Sequence, residues 1–182
     1  IVVFREYVQN SVDAFKHLNS NSNSRVKMIY HTDSNTSSLC FLDNGSGITE
    51  NKFLEKMTSI GASFKIQTED VGYKGIGRLS GISYCDALYF LNILDFRENS
   101  FQIYKIDCNA YRSLKKNSNL SEMDFATLMD SIGSVLQSKE ERDAFIQSRD
   151  LNLLLSQNQD MYNNSNSGFL VIMENLSPLL TD

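Results

Sequence analysis

Residues 6–14 read Glu6-Tyr7-Val8-Gln9-Asn10-Ser11-Val12-Asp13-Ala14, and this stretch decides the fold when it is taken with two glycine-containing segments that follow it. Those segments are Asp43-Asn44-Gly45-Ser46-Gly47 and Gly72-Tyr73-Lys74-Gly75-Ile76-Gly77. Each is a weak signal alone, because glycines are common in turns and a carboxylate on an amphipathic helix is most often solvated. Their order along one chain is the informative feature.

The first segment places three polar side chains on one side of a predicted helix. Steps of four and three residues return to nearly the same side of an α-helix, so Glu6, Asn10 and Asp13 project from one face. A solvated amphipathic surface produces the same pattern in an isolated helix. The downstream glycine segments favour a binding face, because they supply the contacts that such a face needs for an anionic ligand.

The second segment predicts a turn that approaches a ligand closely. Asp43 follows a strand-like apolar stretch. Gly45 and Gly47 lack the Cβ atoms that would keep the backbone away from a bound molecule. A plain Asp-Asn-Gly turn is the alternative interpretation.

The third segment predicts an anion-binding loop. Its glycines lead into residues 78–83, an arrangement that exposes backbone N–H groups at a helix N-terminus, where anions bind. It is not a P-loop, because Gly-x-x-x-x-Gly-Lys-Ser/Thr does not occur, and the polar stretch before it argues against a dinucleotide fingerprint. The candidate phosphate partners are Lys65, Lys74 and Arg78.

The ordered set of segments resembles the GHKL ATPase superfamily, which unites DNA gyrase, the ninety-kilodalton heat-shock chaperones, histidine kinases and the mismatch-repair protein MutL. The resemblance spans Val3 to Leu176, although only the motif positions are specific. It implies the α+β Bergerat fold, a two-layer sandwich of a mixed, mostly antiparallel sheet with helices on one face. It also implies ATP and Mg²⁺ as ligands.

The resemblance implies a role for each polar residue of the first segment. Glu6 is the expected catalytic residue, which orients or deprotonates the attacking water. Asn10 is expected to bind Mg²⁺ through its carbonyl oxygen, a hard ligand suited to that ion. Asp13 is expected near the metal, and an exposed or capping Asp is the alternative.

The resemblance likewise implies that Asp43 recognises adenine. An ionised carboxylate only accepts hydrogen bonds, so it pairs with the amino group of adenine and rejects the carbonyl that guanine presents there. Gly45 and Gly47 are expected to let the turn approach the nucleotide, and Ile48 is expected to pack on the base.

Two further elements of the nucleotide site follow from the resemblance. The expected phosphate lid contains Gly72, Lys74, Gly75, Ile76 and Gly77. Gly168 resembles the glycine of the superfamily's last motif, a Gly-Thr pair that opens the closing strand. Here Phe169 stands where threonine is usual. Water or Ser167 is expected to replace the missing hydroxyl.

The leading functional hypothesis is an ATP-binding and Mg²⁺-dependent ATP-hydrolysing domain of the heat-shock chaperone or MutL kind. Glu6 and the Gly-x-x-Gly-x-Gly pattern favour those branches. A histidine-kinase-type phosphotransferase and a nucleotide-gated interaction module with little turnover remain alternatives. The resemblance also implies an ATP-dependent homodimer, which leaves the client or effector protein unidentified.

Composition bounds these hypotheses. A chain of 182 residues with 41% hydrophobic content predicts a single domain. We expect it to be a fragment of a longer protein. The net charge of -5 and the absence of a basic run give no signal for nucleic-acid binding. The three separated cysteines predict reduced core thiols. No apolar run is as long as a membrane span, and a cytoplasmic location is expected.

Hydrophobic periodicity and turn residues predict the order of the elements. The predicted helices are Val2–Leu18, Thr49–Ile60 and Ile76–Tyr84, and the predicted strands are Arg25–Thr32, Ser38–Leu42, Ala87–Leu94, Phe101–Ile106 and Phe169–Met173. A helical insertion is expected at about 118–157. It comprises a helix capped by Ser121 with a stripe reaching Leu136, and a second helix, Lys139–Leu155, capped by Ser138. Residues 61–74 are predicted to form a mobile loop.

Overall fold

The computed structural model describes residues 2–16, 18, 23–33, 36–59, 77–116, 124–163 and 165–181. The helices in this part of the chain are α1 (Val2–Phe15), α2 (Phe53–Thr58), α3 (Cys108–Lys116), α4 (Phe125–Ile132), α5 (Lys139–Ser148), α6 (Leu151–Ser156) and α7 (Pro178–Thr181). The 3₁₀ segments are Glu50–Lys52, Gly77–Ser83 and Gln159–Tyr162. The strands are β1 (Val26–Thr32), β2 (Ser37–Asp43), β3 (Cys85–Asp95), β4 (Ser100–Asp107), β5 (Gly133–Val135) and β6 (Gly168–Leu176).

The strands form one sheet in the order β1-β2-β6-β3-β4-β5. The closing strand β6 lies at its centre, where Val171 opposes Phe41 of β2 and Phe90 of β3. The α+β prediction is confirmed. The prediction allowed a mixed sheet, and every pairing within the described segments is antiparallel.

Alternate side chains of the strands feed two separate cores, as the two-residue period of a strand requires. On one face, Leu88 and Phe90 pack in a core with residues of α1 to α4. On the opposite face, Tyr89 and Leu91 pack with residues of α5 and α6. The predicted helical layer therefore covers one face together with α4 of the insertion, while α5 and α6 of the insertion cover the other face, a placement that the sequence analysis did not predict.

The first helix of the insertion begins and ends differently from the prediction. Its N-cap is Asp124, whose carboxylate accepts a hydrogen bond from the Thr127 amide at 2.9 Å, while the predicted cap Ser121 lies outside the described residues. The apolar stripe does not continue along the helix. Val135 instead pairs with Tyr104 in the sheet, and the Leu136 amide donates to the Ile103 carbonyl at 3.1 Å. The edge of β4 thus supplies backbone partners that end the helix.

The second predicted helix of the insertion is two helices. Its predicted cap is confirmed, because Ser138 and Glu141 form a capping box. The helix stops at Arg149, whose guanidinium lies 4.0 Å from the Phe145 ring centroid and donates to Glu174 of β6 at 3.0 Å. Asp150 then adopts a left-handed conformation with φ 49°. A contact with the sheet therefore breaks a helix that the local sequence favours.

Helix α3 was not predicted. It follows β4 directly, and the Asp107 carboxylate accepts a hydrogen bond from the Ala110 amide at 2.9 Å, which satisfies one of the unpaired donors of its first turn. The predicted mobile loop at residues 61–74 lies outside the described residues.

The cysteines agree with the prediction of core thiols, since Cys40, Cys85 and Cys108 are free and buried. Within the described ranges, no helix has both the length and the apolar character needed to cross a membrane.

Candidate functional site

A buried carboxylate marks the centre of the candidate site. Asp43 ends β2 and is 5% exposed. Its Oδ2 accepts a hydrogen bond from Ser11 Oγ at 2.7 Å, and its Oδ1 accepts one from the Gly45 amide at 2.9 Å. Burial raises the pKa of Asp43 to about 6, although hydrogen bonds from Ser11, Gly45 and Phe169 act in the opposite direction. The first and second motifs therefore meet at this side chain.

The turn after Asp43 packs directly against α1. A Cβ on Gly45 would lie 2.7 Å from Ala14 Cβ, which is closer than such atoms approach in proteins. Gly47 has φ +62°, a left-handed conformation that favours glycine. Gly45 is therefore required by the close packing on α1 and Gly47 by its backbone conformation, and their approach to a ligand stays a prediction.

The third motif ends beside Glu6. A Cβ on Gly77 would lie 2.3 Å from Glu6 Oε2. The Tyr7 hydroxyl fastens the 3₁₀ segment Gly77–Ser83 to α1, because it donates to the Arg78 carbonyl at 3.0 Å and accepts from the Gly81 amide at 3.2 Å. Helix α1 thus links Asp43 at one position to the end of the glycine loop at another.

The other polar residues of α1 differ in their environment. Asn10 is half-buried, and its side chain makes no hydrogen bond with any other residue that the structure describes. Asp13 is 2% exposed and contacts Lys16 Nζ at 3.0 Å and Gln9 Nε2 at 3.2 Å. Glu6 is one-quarter exposed and pairs with Arg5 Nη2 at 2.8 Å.

Comparison with known families agrees with this geometry. The model of the histidine kinase-, DNA gyrase B- and HSP90-like ATPases matches residues 2–138, a range that contains all three motifs. The chain belongs to this family of ATPases. The resemblance to the GHKL superfamily is thereby confirmed. A search of the curated proteins found no match to the chain.

Part of the predicted nucleotide site lies outside the described residues. These predicted positions are Gly72, Lys74, Gly75 and Ile76, together with the candidate phosphate partner Lys65. Arg78 is described, and its guanidinium donates to the Ser59 carbonyl. That guanidinium is held against the protein, and burial lowers the pKa of Arg78.

The closing strand of this GHKL domain meets the site at Gly168. A Cβ there would lie 2.2 Å from the Asp43 carbonyl oxygen, so glycine lets β6 pass close to β2. Ser167 Oγ donates to the Gly45 carbonyl at 3.1 Å. Phe169, where the resemblance predicts a threonine, has its ring centroid 6.3 Å from that of Phe90 in the core. Ser167, which directly precedes Gly168, therefore supplies a hydroxyl group that contacts the turn after Asp43.

Sequence reasoning missed three residues that hold the site together. Ser11 supports the Asp43 carboxylate, and the Tyr162 hydroxyl donates to the Asp43 carbonyl at 3.0 Å. Asn92 of β3 binds the backbone of Ile48 through both ends of its side-chain amide. Of these three residues, only Ser11 lies inside a motif, so only for Ser11 could its position in the sequence have indicated a role in the site. Tyr162 and Asn92 lie far from the motifs in sequence.

No group of three or more His, Cys, Asp or Glu side chains that could hold a metal ion occurs in the described part of this GHKL domain. The one residue predicted as a metal ligand, Asn10, offers an amide oxygen, which is a ligand type that Mg²⁺ accepts.

Proposed function

We propose that this domain binds ATP with Mg²⁺ and hydrolyses it, and that nucleotide state drives a conformational change or dimerisation. One observation carries the proposal: α1 holds the buried Asp43 through Ser11 and places Glu6 against Gly77, the end of the glycine loop. A single rigid helix therefore connects the proposed base-binding and phosphate-binding ends of the site.

Asp43 supports adenine recognition. Hydrogen bonds from Ser11, Gly45 and Phe169 occupy three acceptor positions of the Asp43 carboxylate, and an ionised carboxylate offers about four. Capacity therefore remains to accept the amino proton of adenine. Guanine would present a carbonyl oxygen at this position. The ionised carboxylate has no hydrogen to donate to that oxygen, so guanine is disfavoured.

The reacting end of the proposed site depends on Glu6 and Asn10. Glu6 orients the attacking water and helps to remove its proton while the γ-phosphoryl group passes to the water oxygen, leaving ADP and phosphate. The side-chain oxygen of Asn10, uncommitted to other described residues, fits a Mg²⁺ ligand. Bound Mg²⁺ neutralises phosphate charge. Asp13 supports this end of α1 through its pairing with Lys16.

Within the superfamily, the proposed function is that of the heat-shock chaperone or MutL kind. Glu6 and the Gly-x-x-Gly-x-Gly pattern support this choice of branch. A nucleotide-gated module with little turnover is the second candidate. It is favoured by the Arg5–Glu6 pair, because Arg5 donates two hydrogen bonds to Oε1 of Glu6 and so occupies one of the two oxygens that could hold a water. Turnover measurements separate these candidates, and labelled phosphate on protein would instead indicate a phosphotransferase.

The test is calorimetric titration of ATP and Mg²⁺ into the wild type, Asp43→Asn and Glu6→Ala, with phosphate release measured on the same samples. We expect Asp43→Asn to lose binding and Glu6→Ala to bind ATP without turning it over. Matched controls are Asp160→Asn and Glu98→Gln, whose carboxyl groups are exposed and lie outside the site. Wild-type binding without phosphate release would support the module, and no wild-type binding would refute the proposal.

A further inference from the structure

A fully buried amide lies against the turn that follows Asp43. Asn92 of β3 is 0% exposed. Its Oδ1 accepts a hydrogen bond from the Ile48 amide at 2.8 Å, and its Nδ2 donates to the Ile48 carbonyl at 2.6 Å. A buried amide is costly unless it is hydrogen-bonded, and here both of its ends are matched to one residue of the turn.

A second amide completes this arrangement. Gln102 of β4 lies opposite Asn92 in the strand register. Its Oε1 accepts a hydrogen bond from Asn92 Nδ2 at 2.9 Å, and its Nε2 donates to the Glu50 carbonyl at 3.0 Å. Both hydrogens of the Asn92 amide are therefore used. The pair of amides ties two strands of the sheet to residues 48–50.

Asn92 also limits the space available to the turn. Gly47 is left-handed, and a Cβ on it would lie 3.0 Å from Asn92 Oδ1. The side chain of Asn92 therefore constrains two neighbouring residues of the turn, Gly47 by close contact and Ile48 by hydrogen bonds. Ile48 is the residue proposed to pack on the nucleotide base.

We propose that Asn92, supported by Gln102, is a positioning residue for the adenine base. It fixes the Ile48 backbone before nucleotide arrives, so that binding does not have to order the turn. This inference rests on the proposed function, and it names residues outside the three motifs as determinants of affinity for adenine nucleotides.

The test compares Asn92→Ala and Gln102→Ala with Asn158→Ala in the whole chain. Asn158 is a matched control, because it is a buried Asn on the opposite face whose Nδ2 donates to the Leu154 carbonyl and whose Oδ1 accepts from Lys27. Each variant is titrated with ATP and Mg²⁺ and with GTP and Mg²⁺, its ATPase kinetics are measured, and its thermal unfolding is recorded.

We expect Asn92→Ala to weaken ATP binding roughly tenfold, as the loss of two hydrogen bonds to the turn predicts, and Gln102→Ala to weaken it about threefold. KM should rise with little change in kcat, because the reacting end of the site is untouched. Asn158→Ala should lose stability while keeping wild-type affinity. A merely structural role for Asn92 would lower unfolding temperature without this split between KM and kcat.

Wild-type ATP affinity in Asn92→Ala, or an equal loss of affinity in Asn158→Ala, would overturn the positioning role and leave the proposed function standing. A wild type that binds no ATP would overturn both, and the wild-type titration alone reveals that case. If Asn92→Ala does not fold, Gln102→Ala decides, and unchanged KM in that variant would refute the proposal.

Discussion

Asp43 combines a negative charge with nearly complete burial, and the two properties have opposite effects on stability and binding. Among the residues that the structure describes, the Ser11 hydroxyl and the backbone amides of Gly45 and Phe169 compensate the charge. Burial of the Asp43 charge therefore lowers the stability of the folded domain but leaves an acceptor that a ligand can use, which is typical of binding sites.

The free energy of unfolding should depend on pH, because only the ionised form of Asp43 carries the buried charge. The pKa of Asp43 is about 6 in the folded chain against an ordinary value of 3.8, so folding favours the protonated form. The stability that this group contributes is present below about pH 4 and is lost as pH rises through 6, by roughly 3 kcal/mol. ATP affinity should change in the opposite direction, because the ionised carboxylate is the better acceptor.

Asp43→Asn should therefore be at least as stable as the wild type at pH 7 while failing to bind ATP. Denaturant unfolding of both proteins between pH 3 and pH 8 measures the difference, expected to be about 3 kcal/mol at pH 7 and to vanish as pH falls below about 4. Parallel stability profiles for the two proteins would contradict this assignment.

The contact between Gly77 and Glu6 gives a second prediction at the residue scale. In Gly77→Ala the new methyl group would displace the Glu6 carboxylate, whose end is flexible, so the fold should persist. Because misplacing a catalytic group by about 1 Å costs up to roughly a hundredfold, phosphate release should fall ten- to a hundredfold with ATP affinity nearly unchanged. Ser83→Ala, an exposed position of the same 3₁₀ segment, is the control. Unaltered turnover in Gly77→Ala would argue against catalysis by Glu6.

At the scale of elements, α1 organises the site and the capping residues define the insertion. Tyr7 joins α1 to the segment after the glycine loop, and Ser11 joins it to the end of β2. Helix α5 depends in a different way on its first residues, since Ser138 and Glu141 satisfy donors that the helix itself cannot satisfy.

Ser138→Ala should remove the capping box of α5 and lower the free energy of unfolding by about 1 kcal/mol. For a domain of this size, the corresponding fall in unfolding temperature is roughly 2–4 °C. Ser131→Ala is the matched control, because the Ser131 hydroxyl only donates to the Thr127 carbonyl within α4. Its expected effect is below about 0.5 kcal/mol. Equal effects of the two substitutions would count against the capping box.

At the scale of the whole molecule, the 3₁₀ segment that follows the insertion supports the site from the opposite face of the sheet. Tyr162 is 3% exposed, stacks on Phe96 with centroids 4.3 Å apart, and donates to the Asp43 carbonyl at 3.0 Å. The 3₁₀ segment that carries it follows α6 directly. The second core is therefore connected to the end of β2 that carries Asp43.

Tyr162→Phe should leave the Asp43 carbonyl without this donor and destabilise the domain by about 1 kcal/mol. ATP binding should weaken by a few fold, because the end of β2 is less firmly held. Tyr30→Phe, at a side chain that is 55% exposed, should change neither quantity. Unfolding and ATP titration measure both effects, and a Tyr162→Phe variant identical to the wild type would show that the 3₁₀ segment Gln159–Tyr162 does not support the site.

The sequence by itself determined the presence of α1, the strands that follow it, the turn after Asp43 and the cap of α5. These features depend on periodicity and on local backbone demands, which neighbouring residues encode. Only the tertiary structure decided that Ser11 rather than the other polar residues of α1 contacts Asp43, that Arg149 interrupts a helix, and that Asn92 holds Ile48. Those contacts join distant segments through the packing of two cores on one sheet, and no local pattern specifies which partner is reached.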